Sequence, residues 1–268
     1  MNKEDLVSVI MPTYNAGKYL ADSMNSILNQ TYKNLELLIT DDASTDPTTL
    51  QLLKEFASKD ERVNILYLKE NHGAGYARNK SIERAKGRYI AFCDSDDRWT
   101  TDKLEKQIAF MNKKKCALSC ASYIIFDGET QEEIGFCTAP KKITYGMMKR
   151  DNKVGCLTAI YDVQMLGRKF FMPTIRKRQD WALFLQIIRE CKVCYAYPDK
   201  PLAYYCMRRN SISSNKMSLM KYNIAVYKEI LGFHPIKANL YFFTLFLPTY
   251  GAKIMKRKFD SYTFTHKK

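Results

Sequence analysis

Ile90-Ala-Phe-Cys-Asp-Ser-Asp-Asp-Arg-Trp99 is the stretch that decides how this 268-residue chain folds. The apolar run from Tyr89 to Cys93 reads as a short buried strand, and three carboxylates, Asp94, Asp96 and Asp97, follow it at once. Acids gathered where water is scarce repel one another, so the cluster calls for a cation. An Asp-x-Asp at a strand end suits Mg²⁺ or Mn²⁺, hard ions that take oxygen ligands and keep positions open for a diphosphate. The alternative for the same residues is an acidic loop leading into the helix expected from Thr101 to Met111.

Outward from this stretch, strands and helices alternate. Leu6-Val-Ser-Val-Ile-Met11, closed by Pro12, and Leu35-Glu-Leu-Leu-Ile-Thr-Asp41 have strand length and composition. Between them, residues 18–30 place Tyr19, Leu20, Met24, Ile27 and Leu28 at helical spacing. Asp46 caps a helix opened by Pro47, with Leu50, Leu52, Leu53 and Phe56 as its apolar face. A strand over 63–68, a helix over 75–85 and a further strand over 117–126 complete the pattern. Alternation of this kind predicts an α/β fold with a parallel sheet, which binds ligands beyond the carboxyl ends of its strands. Pro12-Thr-Tyr-Asn15, Asp41-Asp42 and Asp94-Ser-Asp-Asp97 all fall on that edge. No GxGxxG follows the first strand and no GxxxxGK[ST] occurs, which excludes a dinucleotide fingerprint and a P-loop. Gly73-Ala-Gly75 is either a plain turn or the start of a helix whose N-terminus, carrying Arg78 and Asn79, favours an anion.

An apolar content of 46% is enough for a substantial core. No apolar run reaches the roughly eighteen residues of a membrane span, and the N-terminus carries no signal-peptide pattern, so a cytoplasmic protein is expected. Eight cysteines show no zinc-ligand spacing with histidine partners, which points to reduced, structural thiols. The net charge of +15 is unevenly spread. Residues 1–134 hold 18 Lys/Arg against 21 Asp/Glu, and residues 135–268 hold 25 against 7. The basic half therefore attracts an anion, with nucleic acid, a phosphate-bearing substrate and acidic phospholipid as candidates.

Six motifs then appear in order: Val7-Ser-Val-Ile-Met-Pro-Thr-Tyr-Asn15, Ser26-Ile-Leu-Asn-Gln-Thr-Tyr32, Asp41-Asp-Ala-Ser-Thr-Asp46, Gly75-Tyr-Ala-Arg-Asn79, Gly87 through Asp97, and Arg178-Gln-Asp-Trp181. Over residues 6–215 the chain resembles the family 2 glycosyltransferases with the GT-A fold, of the bacterial surface-polysaccharide type. The resemblance implies a Rossmann-like, mostly parallel sheet and transfer of a sugar from a UDP-sugar, UDP-galactose or UDP-glucose, with inversion. It implies that Pro12, Thr13, Tyr14 and Asn15 lie against the nucleotide and that Asp42 accepts from the base. Asp94 and Asp96 would hold the ribose, and Asp94, Asp96 and Asp97 would supply the Mn²⁺ or Mg²⁺ ligands. Inversion by direct displacement needs a base for the acceptor hydroxyl, and Asp180 is the candidate, with helix capping as its alternative role. The family often has Glu-Asp at this point, whereas this chain has Gln179-Asp180.

Arg208 and Arg209 resemble the family's segment that folds over the diphosphate, and a solvated charged turn is the alternative. Trp99 and Trp181 are expected either to floor the acceptor sugar or to serve as packing. The implied organisation is a catalytic domain over 1–215, with a nucleotide-binding half (1–115) and an acceptor-binding half (116–215), then a helical, basic extension over 216–268. In that extension Leu240-Tyr-Phe-Phe-Thr-Leu-Phe-Leu247 precedes Lys253, Lys256, Arg257 and Lys258. Such a segment either lies on an anionic leaflet, at the inner face of the cell membrane, or packs on the domain. The acceptor implied is a saccharide on a polyprenyl diphosphate. Two rivals are a sugar-phosphate nucleotidyltransferase, which should carry a Gly-rich basic N-terminal loop, and a nucleic-acid binder, for which no binding signature occurs.

Overall fold

The computed structural model describes residues 5–208 and 216–266. It begins with β1 (Val7–Thr13), α1 (Tyr19–Leu28), β2 (Leu35–Asp41), α2 (Pro47–Lys59), β3 (Val63–Tyr67), α3 (Ala74–Arg84) and β4 (Tyr89–Phe92). The crossovers set β3, β2, β1 and β4 side by side and all parallel. Every residue of β1 is buried, which is why its apolar run shows so little alternation. Asp46 caps α2 by accepting from the Thr49 amide at 2.8 Å, with Pro47 in the first turn. Gly87 makes the turn into β4 possible, because a Cβ there would lie 2.6 Å from the Leu6 carbonyl oxygen.

The chain continues through β5 (Arg98–Trp99), α4 (Lys103–Lys114), β6 (Leu118–Ala121), β7 (Tyr123–Asp127), β8 (Glu133–Cys137), β9 (Lys142–Thr144) and α5 (Tyr145–Arg150). After these come β10 (Ile160–Asp162), α6 (Val163–Leu166), α7 (Gln179–Cys191), β11 (Val193–Tyr197) and β12 (Ala203–Met207). The main sheet reaches eight strands in the order β3-β2-β1-β4-β10-β6-β11-β9, with β10 and β9 opposed to the other six. A second sheet has the order β5-β12-β7-β8. The single strand expected over 117–126 is thus two strands in different sheets. At Ser122 the carbonyl accepts the Leu202 amide at 3.1 Å and the hydroxyl accepts the Ala139 amide at 3.0 Å, so distant segments occupy the groups that would have continued one ladder.

Helices α8 (Lys216–Ala225), α9 (Pro235–Tyr241) and α10 (Leu247–His266) follow, with π turns over Val226–Ile230 and Phe242–Phe246. The apolar block 240–247 resolves into two faces. Phe242 and Phe246 are buried in the core, where Phe246 packs 5.6 Å from Trp181 between ring centroids. Leu240 and Phe243 are exposed at 62% and 55%. Among the described residues no helix is long and apolar enough to cross a membrane. All eight cysteines are free thiols.

Lys103, at the start of α4, is fully enclosed. Its ammonium lies 4.0 Å from the centroid of the Trp99 ring and has no hydrogen-bond partner among the described residues. Burial lowers its pKa from 10.5 to about 7, against a smaller opposing pull from Cys93 and Cys120. The folded value lies below the unfolded one, so between pH about 7 and about 10.5 the unfolded chain binds the extra proton. The contribution of Lys103 to stability is therefore expected to rise with pH across that window and to be flat below it. Lys103→Met should raise stability at pH 7 by about 2–4 kcal/mol and abolish the slope, as read from denaturant midpoints at several pH values.

Candidate active site

The carboxyl ends of β1, β2 and β4 bring the expected motifs to one edge of the main sheet. At the end of β1, Pro12 and Thr13 are buried, and Tyr14 just beyond it is 53% exposed. Thr13 Oγ1 is buried without a hydrogen-bond partner among the described residues. Asn15, expected among the nucleotide contacts, braces the neighbouring loop. Its Oδ1 accepts the Thr45 and Asp46 amides at 2.9 and 3.0 Å, and its own amide donates to Ser44 Oγ at 2.9 Å. A backbone φ of 45° at this position is one that asparagine tolerates.

Asp42 is 2% exposed, and its two carboxylate oxygens accept the His72 and Gly73 amides at 2.9 and 2.6 Å. It ties the loop that opens α3 to the edge of the sheet. Because a carboxylate offers about four acceptor sites, a further donor can still be accommodated. Gly75, in the first turn of α3, lets that helix meet the start of α7, since a Cβ there would lie 2.3 Å from the Gln179 side chain. The two helix starts carrying Arg78 and Asp180 are thereby brought together.

Arg78 is 8% exposed and pairs with Asp94 Oδ1 at 2.5 Å, while its Nε has no hydrogen-bond partner among the described residues. Burial is the largest influence on the guanidinium and lowers its pKa, but the charge of Asp94, the Cys156 thiol, the hydrogen bond to Asp94 and the charge of Asp180 together raise it above the ordinary value. Asp96 pairs with Arg208 at 2.5 Å. Burial, then the charge of Asp94, raise the Asp96 carboxyl above its usual range, with Arg208 pulling the other way. Arg208 also lies 5.3 Å from the centroid of the Tyr19 ring. Arg209 lies outside the described residues.

Asp97 differs from its neighbours. It is 2% exposed, and its Oδ1 accepts the Cys206 amide of β12 at 2.9 Å. Burial, then Asp96 and Asp94, push its carboxyl well above the usual range. The expected three-acid ligand set therefore divides into two partly exposed acids, Asp94 and Asp96, and one enclosed acid joined to a strand. Among the described residues no group of three or more His, Cys, Asp or Glu side chains could hold a metal by itself. Two neighbouring, partly exposed carboxylates, with the Asp96 carboxyl raised by burial and by Asp94, still fit a Mg²⁺ or Mn²⁺ ion that takes its remaining ligands from phosphate oxygens.

Asp180 stands in the first turn of α7 and accepts from Asn152 Nδ2 at 2.8 Å. Asn152 carries no sequence signal, since Arg150-Asp-Asn-Lys-Val-Gly155 matches no motif used above. Of the two roles open to the tryptophans, acceptor floor or packing, their surroundings describe packing. Trp181 is 0% exposed with its indole N–H on the Met148 carbonyl at 2.7 Å, and Trp99 is 4% exposed with its N–H on the Leu157 carbonyl at 2.8 Å. Rings so enclosed, with their polar atoms satisfied, are core.

The chain's likenesses agree with this geometry. The family model "Glycosyl transferase family 2" matches residues 8–171. The chain is 42% identical to TuaG of Bacillus subtilis (strain 168), provisionally named a teichuronic acid biosynthesis glycosyltransferase, over 89% of its own length and 93% of that protein's. It is 38% identical to WfgD of Escherichia coli, named a UDP-Glc:alpha-D-GlcNAc-diphosphoundecaprenol beta-1,3-glucosyltransferase, over 81% and 83% of the two chains. S. aureus TarS 1–349 in complex with UDP-GlcNAc superposes with a TM-score of 0.67 at 22% identity, covering 88% of this chain and 70% of that one. The chain spans 42% of full-length TarS.

Proposed function

The chain belongs to glycosyltransferase family 2 and has the GT-A fold, and from that premise we propose that it moves one sugar, glucose before galactose, from a UDP-sugar to a saccharide on a polyprenyl diphosphate, with inversion. The observation that carries the reading is the meeting of partly exposed acids with arginines at the end of β4: Asp94 with Arg78 and Asp96 with Arg208. The preference for UDP-glucose and a lipid-diphosphate acceptor rests on the likeness to WfgD. In this reading residues 1–115 bind the nucleotide, residues 116–215 serve the acceptor, and residues 216–268 extend that side.

Tyr14 lies over the nucleobase, Asp42 accepts from it, and Asp94 holds the ribose. Asp96, with Asp94 beside it, is the oxygen donor for Mn²⁺ or Mg²⁺, which when bound supplies Lewis-acid neutralisation of the leaving diphosphate. Arg78 and Arg208 present forked N–H donors that suit the phosphate oxygens. Asp180 removes the proton from the acceptor hydroxyl as it attacks the anomeric carbon from the face opposite the diphosphate. UDP release measured over a panel of UDP-sugars, with and without Mn²⁺ and a GlcNAc-diphosphate lipid, tests the reading. UDP-glucose is expected to support transfer, and activity undiminished in excess EDTA would count against the metal.

The same proposal places the protein on the inner membrane surface through α10. Met255, Phe259 and Tyr262 are exposed at 69%, 69% and 63%, at spacings of four and three residues, with exposed Lys256 and Lys258 close by. An apolar ridge edged by lysines suits an anionic bilayer. Lys253, expected in the cationic cluster, is instead paired with Asp151. Anionic vesicles should bind the full-length protein, and less tightly as salt rises. Phe259→Ser should weaken partition roughly tenfold while leaving UDP-sugar hydrolysis intact.

A further inference from the structure

The loop after α5 connects the tail helix to Asp180. Asn152 Oδ1 accepts the Val154 amide at 3.1 Å, which leaves its Nδ2 turned to Asp180 Oδ2 at 2.8 Å. Beside it Asp151 is 2% exposed and lies between two lysines, Lys153 at 3.1 Å and Lys253 of α10 at 3.1 Å. Lys253 Nζ also donates to the Asn152 carbonyl at 2.5 Å. One ammonium from the tail thus holds both the buried acid and the backbone of the residue that holds Asp180. The helix is fixed further along, where Ser261 Oγ accepts the Phe136 amide at 3.1 Å and Phe264 stacks on Phe136.

A buried carboxylate stays in place only while its cations do. Without Lys253, Asp151 keeps one lysine and the Asn152 carbonyl loses a charged donor. The amide that orients Asp180 then has its own side-chain bonds as its remaining restraint. A displacement of about 1 Å near a reacting group costs on the order of 10²-fold in rate.

We infer that Lys253, Asp151 and Asn152 form a positioning relay for Asp180, so that the tail helix sets the geometry of proton removal as well as carrying the apolar ridge. The inference rests on the reading of Asp180 as the base. The Phe259 ridge and the Lys253 anchor belong to one helix, so the segment that meets the lipid and the segment that aims the base are the same element.

The test measures kcat and donor KM on the full-length protein, normalised to correctly folded protein by UDP binding. Asn152→Ala should lower kcat roughly 10- to 100-fold and Lys253→Met roughly tenfold, with KM for the UDP-sugar within about twofold of wild type. Lys253→Arg, which keeps a cation beside Asp151, should restore most of the rate. The double variant Lys253→Met/Asn152→Ala should be no slower than Asn152→Ala, because both changes break one chain. Multiplicative losses in the double variant, or a wild-type kcat in Lys253→Met, overturn the relay. Asp180→Asn separates the two readings: a wild-type rate there removes the base and the relay together, whereas an inactive Asp180→Asn beside a fully active Asn152→Ala removes the relay alone.

Discussion

Asp180→Asn should lower kcat by about 10³-fold while leaving donor KM nearly unchanged. The substitution keeps the shape of the side chain and an oxygen to accept the Asn152 amide, now at 2.8 Å, so the start of α7 is preserved while basicity is lost. The acceptor hydroxyl then keeps its proton as it attacks, and the loss falls on the chemical step. Single-turnover measurement with a soluble GlcNAc-diphosphate acceptor separates chemistry from product release. A near-normal rate would return Asp180 to a purely structural role in the first turn of α7, where a carboxylate is favoured by the helix dipole.

Asp96→Ala should cost 10²-fold or more in kcat and abolish the response to Mn²⁺, with little change in melting temperature. The side chain is accessible enough to serve a ligand, and its partner Arg208 is 40% exposed and can be resolvated. Asp97→Ala is expected to behave differently. It strips the Cys206 amide of a buried acceptor, so stability should fall by roughly 1–3 kcal/mol. Thermal melts and metal titrations of the two variants, run side by side, check the division. Equal thermal losses in both would contradict it.

Much of the first half was legible because its signals are local. A strand buried on both faces, an Asp-Pro helix start and a helix with apolar residues at i, i+3 and i+4 can each be read within a dozen residues. Helix α2 with Asp46 and Pro47 and strand β2 over Leu35–Asp41 appear as expected. The second half carries its information between distant residues. Strand β10 has three residues, too few for a period, yet it joins β4 to β6 across the sheet. The break at Ser122 depends on Leu202 and Ala139. The two tryptophans look alike beside polar motifs, and only the packing of Phe246 and Tyr227 on Trp181 identifies that ring as core. The acids at 94, 96 and 97 were legible as a cluster, but their separation into accessible and enclosed members required the amide of Cys206.

That amide lies 109 residues beyond the carboxylate it satisfies. At about 5–20 residues per second of synthesis, Asp97 waits roughly 5–20 s on the ribosome for its partner. During that interval β5 and β7 have no β12 between them, and Arg208, the cation for Asp96, has not been made. The nascent chain therefore holds the acid cluster before the strand and the cation that complete its surroundings. Its open strand edges meanwhile make the unfinished chain a natural client for chaperones.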